Sequence, residues 1–137
     1  MRRYIAACCL TFVFMTAAGA EKPQLLCLHA KSTVEETQCL NQELEKANSA
    51  LAEYLNTARE QINKQNSGKP QIDAAQDAWL KYRSAQCGDV YTYQEAGTYR
   101  YRAELECDIE ATRSRTHDIW SAYMRTFGTS LPLRPEP

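Results

Sequence analysis

Glycine and histidine are scarce in this chain, five and two among 137 residues, and several patterns that announce a chemistry are missing. Runs of β-branched residues and strict polar–apolar alternation are absent, so there is little to build a sheet from. No glycine-rich loop is present to cradle a phosphate. No C-x-x-C occurs, and His29 and His117 lie far apart in sequence, so a zinc site lacks its ligand spacing. No lysine- or arginine-rich run exists to neutralise a nucleic-acid backbone. Acid–base hydrolysis needs two carboxylates at a set separation in a cleft, whereas the acids here are scattered over what read as solvent faces of helices. Nucleophilic chemistry needs a Ser or Cys beside a base, and neither histidine has a recognisable partner; both read as surface or capping residues. These absences argue against an enzyme, a cofactor and a metal.

What is present begins with a leader. Arg2 and Arg3 open it, Ile5 to Ala18 run almost wholly apolar, and Ala18-Gly19-Ala20 forms an A-x-A cleavage signature, which together read as a secretory signal peptide over residues 1–20. The run is short of the roughly 20 apolar residues that a membrane helix needs. Ile5-Ala6-Ala7-Cys8 faintly resembles a lipoprotein cleavage box, but only Tyr4 to Ala7 would precede the cut as apolar core. The expected mature chain starts near Glu21, periplasmic or secreted, and does not insert into a membrane. Removing Arg2 and Arg3 from the 16 Lys+Arg leaves 14 against 17 Asp+Glu, a net charge of −3. Residues 21–137 suffice for one domain with one modest core.

Four cysteines remain after the leader, in two close pairs: Cys27 with Cys39, and Cys87 with Cys107. An even number in an exported chain reads as a disulfide framework. Three connectivities are open; pairing neighbours, Cys27–Cys39 and Cys87–Cys107, closes the shortest loops and is the favoured one. Each such loop contributes on the order of 3 kcal/mol in the chain-entropy account.

The apolar positions have helical spacing. Thr33 followed by Glu36 reads as a capping box, and from there Leu40, Leu44, Ala47, Leu51, Tyr54, Ala58 and Ile62 recur at steps of three and four up to the Asn66-Ser67-Gly68 break. Pro70 suits the first turn of a second helix, whose inward face reads as Ile72, Ala75, Trp79, Tyr82 and Gln86, ending at Cys87-Gly88. A loop punctuated by Gly97-Thr98 leads to a third helix carrying Leu105, Ile109, Thr112, Thr116, Ile119, Trp120, Tyr123 and Phe127, which stops at Gly128. Residues 129–137 hold three prolines and no stripe, and read as a disordered tail. Three amphipathic helices can bury their stripes only against one another, which predicts an all-α, antiparallel three-helix bundle with two local disulfides over residues 21–128.

The cysteine frame Cys27-Leu-His-Ala30-Lys-Ser-Thr33-Val-Glu35-Glu-Thr-Gln-Cys39, the stretch Gln76-Asp-Ala-Trp79-Leu80-Lys-Tyr82-Arg83-Ser-Ala-Gln-Cys87, and Cys107 with Thr112 and Arg113 together resemble the lysozyme inhibitor LprI N-terminal-like family of small exported bacterial proteins. The resemblance spans about residues 27–120, and Gln-x-x-Trp-x-x-x-Arg-x-x-x-Cys is its specific part. It implies a helical, disulfide-linked periplasmic or cell-surface domain and, for some relatives, inhibition of lysozyme.

Within that frame Trp79 is expected to be the largest core anchor, and Tyr82 a core residue with its hydroxyl at the edge. Arg83 and Arg113 could bind a carboxylate ligand, but are expected rather to pair with acids such as Glu106 or Asp108 or to cap a helix, and Gln76 to bond across the bundle. Four of the eight tyrosines, Tyr91, Tyr93, Tyr99 and Tyr101, fall between Gly88 and Arg102 together with Arg100 and Arg102. Tyrosine gives large amphipathic contact area at low entropy cost, and arginine adds forked hydrogen bonds. Confinement between Cys87 and Cys107 would pre-order the segment. These six are the expected partner-binding residues, with Tyr99 and Tyr101 otherwise reading as the cover of the bundle end. The partner is expected to be a protein, lysozyme or another peptidoglycan hydrolase, blocked by direct contact. The competing reading is an envelope accessory or scaffold module with a different protein partner.

Overall fold

Three stretches coil into helices, α1 (Thr33–Gln65), α2 (Ile72–Tyr93) and α3 (Tyr99–Tyr123), in a computed structural model that describes residues 26–65, 71–94, 97–125 and 131–137. No strand occurs among the described residues. The expected leader, its cleavage site, Pro70 and the Phe127-Gly128 stop lie outside them.

The α1 stripe buries as its spacing requires: Leu40, Ala47, Leu51, Tyr54 and Ala58 are enclosed, joined by Leu55. Its start differs from the expected Thr33/Glu36 box by one residue. Ser32 Oγ accepts from the Glu35 N–H at 3.2 Å, while the Glu35 carboxylate accepts from the Lys31 N–H at 2.8 Å. The cap moves because Glu36 is used elsewhere: its carboxylate meets Arg102 of α3.

α2 departs furthest from its hydropathy. Ile72, Gln76 and Cys87 are buried and Trp79 and Arg83 half-buried, whereas Ala75, Tyr82 and Gln86 are exposed, Tyr82 to 59%. Two of the positions on the inward face are polar. Gln76 Oε1 accepts from Arg115 Nε across the bundle at 3.1 Å, and Arg83 bonds to both neighbouring helices. Polar residues satisfied in this way can face inward, so apolarity alone misreads the face. Trp79 packs at the edge of the core rather than at its centre. The enclosed tryptophan is Trp120, in a cluster with Leu51, Tyr54, Leu55, Ala58, Ile72, Ile119 and Met124. Enclosing such side chains stabilises by roughly 1.5–3 kcal/mol each.

Cross-helix contacts set the directions. Arg59, late in α1, meets Asp73 at the start of α2 (2.6 Å), and Arg83 further along α2 reaches back to Asn48 (3.0 Å). Gln76 meets Arg115, and Cys87 is bonded to Cys107. Consecutive helices therefore run in opposite directions. α1 and α3 run the same way, since Arg102 meets Glu36 and Arg113 meets Glu43 (3.0 Å). α3 packs against both others. Both neighbour disulfides are formed, Cys27–Cys39 and Cys87–Cys107. They brace the same half of the bundle, where α1 and α3 begin and α2 ends.

Residues 131–137, for which prolines and the lack of a stripe suggest disorder, lie against the other half. Trp120 Nε1 donates to the Arg134 carbonyl at 2.9 Å, and the Tyr54 hydroxyl donates to the Pro135 carbonyl at 2.7 Å.

Candidate functional site

The tyrosine-rich segment is not the expected loop over 88–102. α2 continues through Gly88 to Tyr93, and α3 begins at Tyr99, so Tyr91 and Tyr93 occupy the last turn of one helix and Tyr99 to Arg102 the first turn of the next. The result is a helical corner. Gly88 and its weak helix-forming neighbours Cys87, Asp89, Val90 and Tyr91 stay helical because the Cys87–Cys107 bond and packing on α3 hold this stretch. The turn itself depends on Gly97, whose φ of 96° lies where side-chain-bearing residues are strained.

The corner is held in three ways. The Cys87–Cys107 bond ties the two helices together below it. The rings of Tyr91 and Tyr101 meet edge to face at 5.3 Å. The Arg100 guanidinium lies 3.9 Å over the Tyr91 ring, within cation–π range. Hydrogen bonding with Tyr101, then desolvation, pushes the Tyr91 hydroxyl above its ordinary pKa.

Outside these contacts the tyrosines face solvent: Tyr93 is 80%, Tyr99 56% and Tyr101 52% exposed. Arg100 meets no carboxylate among the described residues, and its Nε is buried without a hydrogen-bond partner. Arg102 behaves differently. It is clamped between Glu36 of α1 and Glu106 one turn on (2.7 Å), and hydrogen bonding to Glu106 raises its already high pKa. Of the six expected contact residues, Tyr93, Tyr99 and Tyr101 therefore present exposed surface, Tyr91 and Arg100 pack on one another, and Arg102 joins the helices beneath them.

Beside the corner runs an open groove of ≈ 1070 Å³ between the first turns of α1 and α3, walled by Val34, Thr37 and Asn41 on one side and Tyr99, Tyr101 and Arg102 on the other. Val34, 75% exposed, extends the apolar rim. It was legible in principle: Val34 lies six residues before Leu40, the first stripe position, which turns it about 120° around the helix from the core side. Leu28, 64% exposed, stands at the same end in the turn closed by Cys27–Cys39. That turn places Cys27 at φ 59°, with the Ala30 N–H donating to the Cys27 carbonyl at 3.1 Å.

The structural residues lie deeper. Arg83 Nη1 donates to Thr112 Oγ1 (2.6 Å) and to Asn48 Oδ1 (3.0 Å), its Nε stands 3.6 Å from the Asp108 carboxylate, and its guanidinium lies 5.0 Å over Trp79. It thus links all three helices, and Asp108 is the acid expected for it. Burial pushes the Asp108 carboxyl up against the downward pull of Arg83. Arg113 pairs not with Glu106 or Asp108 but with Glu43 on α1, a carboxyl held below its ordinary pKa first by Lys46 and then by Arg113. His29 is exposed, and His117 Nε2 lies 3.0 Å from Glu136. Among the described residues no three His, Cys, Asp or Glu side chains gather in a metal-binding group, and no helix is long and apolar enough to cross a membrane.

A corner of this kind, braced and aromatic, with Arg100 stacked on Tyr91 and no nucleophile–base pair among the described residues, can do recognition. A family model described as "Lysozyme inhibitor LprI" matches residues 27–119, which takes in both disulfides, the corner and the Arg83 network. No curated protein and no solved structure matches the chain.

Proposed function

We propose, given that the chain belongs to the lysozyme inhibitor LprI family, that it binds a lysozyme-type peptidoglycan hydrolase and blocks it through the corner formed by Tyr91, Tyr93, Tyr99, Arg100 and Tyr101, with Arg102 fixing the base. The observation that carries this reading is the exposure of Tyr93, Tyr99 and Tyr101 on a turn braced by Cys87–Cys107. Large aromatic surface on a rigid support loses little entropy on binding. Hydrolases of this class work with a pair of carboxylates in a cleft. Arg100, which has no acidic partner among the described residues, supplies the complementary charge, and the exposed hydroxyls of Tyr93, Tyr99 and Tyr101 supply hydrogen-bond donors.

Export follows from the same reading. Two disulfides persist in an oxidising compartment, which supports export of the mature protein, cut near Ala20, to the periplasm or outside the cell. Purified mature protein is expected to slow lysozyme-driven lysis of cell walls, with the effect saturating near one inhibitor per enzyme. Undiminished lysis by every muramidase tried, at several-fold excess of folded protein, would end the proposal.

A further inference from the structure

The other half of the bundle carries a second constellation. Its donors come from two helices: Tyr54 of α1 and Trp120 of α3, both members of the core cluster and each only 7% exposed beneath that segment. They donate to two consecutive carbonyls of the segment 131–137, Trp120 Nε1 to Arg134 (2.9 Å) and the Tyr54 hydroxyl to Pro135 (2.7 Å). The arginine between them is read separately. Its guanidinium lies 5.4 Å over the Tyr54 ring, and it donates to Thr57 Oγ1 at 2.7 Å and to Glu53 at 3.1 Å.

The site supplies donors to carbonyls, which suits a ligand whose prolines have no N–H to satisfy. Pro132, Pro135 and Pro137 also hold their own φ angles near the extended left-handed form, so little chain entropy is lost on seating. Aromatic grooves that donate to a preformed proline-rich strand are a general mode of peptide recognition. We infer that the α1/α3 groove formed by Glu53, Tyr54, Thr57 and Trp120 is a binding site for an extended arginine–proline peptide. Residues 131–137 are its ligand in cis, and an arginine–proline segment of a partner protein competes with them for it. The inference uses none of the corner residues, so it stands or falls apart from lysozyme binding.

The test is a titration of the fluorescently labelled peptide Leu-Pro-Leu-Arg-Pro-Glu-Pro into the mature chain and into a variant ending at Ser130, with helicity checked by circular dichroism. The shortened chain is expected to bind saturably, and the intact chain at least about tenfold more weakly because its own segment competes. A peptide with alanine in place of its arginine is expected to bind the shortened chain about tenfold more weakly, for loss of charged hydrogen bonds. No saturable binding to a shortened chain of native helicity would overturn the inference. Should the shortened chain unfold, the intact chain decides by nuclear magnetic resonance: Arg134→Glu is expected to shift the Trp120 indole N–H and speed its exchange while leaving Trp79 unchanged. An unaltered Trp120 signal overturns it.

Discussion

Replacing Arg83 by alanine tests the packing logic at its most connected point. The side chain donates to Thr112 Oγ1 and Asn48 Oδ1, approaches Asp108 at 3.6 Å, and is only 18% exposed. Each hydrogen bond from a charged donor contributes about 1.5–3 kcal/mol when sheltered. The ion pair is long and partly wet, so it adds the smaller share, about 0.5–1 kcal/mol, and only while Asp108 is ionised. Thr112 keeps a partner, since its hydroxyl also donates to the Asp108 carbonyl at 2.6 Å. Only the Thr112 bond is sheltered, the Asn48 one being exposed, so the expected loss is about 2–3 kcal/mol, or a fall in Tm of roughly 10 °C for a domain of this size.

The pH dependence gives a second, independent check. Burial raises the folded-state pKa of Asp108 above its ordinary value. Its protonated form thus favours the fold: that contribution is full below the unfolded pKa of about 4 and is lost as pH rises through the folded value. Removing Arg83 takes away the one cation that lowers this carboxyl, so the folded value climbs further. The deficit of Arg83→Ala should be largest near neutral pH and narrow on acidification toward about pH 4. Adding Asp108→Asn should recover part of it at neutral pH. Urea titrations followed by circular dichroism at both pH values measure this, with an unchanged m-value as control. A loss below about 0.5 kcal/mol, or one equal at both pH values, would refute the reasoning.

The corner makes three further predictions. Gly88 sits inside α2, and a Cβ built there meets nothing within 4 Å. Gly88→Ala should therefore stabilise by about 0.5–1 kcal/mol in a thermal melt. Gly97 also has open space around it, but its φ is 96°, so Gly97→Ala should destabilise by about 1–2 kcal/mol through backbone strain alone. Replacing Cys87 and Cys107 together by serine should cost on the order of 3 kcal/mol and open the corner to limited proteolysis before the rest of the bundle; equal protection of the corner with and without the bond would contradict its bracing role.

The helices were legible because α1 and α3 carry apolar stripes of helical period that their neighbours bury, Leu40 to Ala58 and Ile109 to Trp120. The neighbour pairing of cysteines followed from loop length alone. α2 was harder to read because Gln76 and Arg83 face inward by virtue of partners on other helices, information that no local window holds. Tyr82, one position from Arg83, took the core role in the apolar reading and in fact faces water. The corner's composition was visible, but its helical form was hidden by Gly88, which reads as a stop and is not one. Arg102 looked like a contact residue until α1 supplied Glu36. The seating of Arg134 and Pro135 depends on Tyr54 and Trp120, some 80 and 14 residues away, a distance at which periodicity is silent.

The most direct measurement is a lysozyme inhibition titration comparing the mature protein with Tyr93→Ala and Tyr99→Ala, two residues exposed enough that truncation leaves the fold intact. Recognition through the corner predicts tight inhibition by the parent and a loss of about tenfold or more in affinity for each variant at unchanged helicity. Full-strength inhibition by both variants would contradict it.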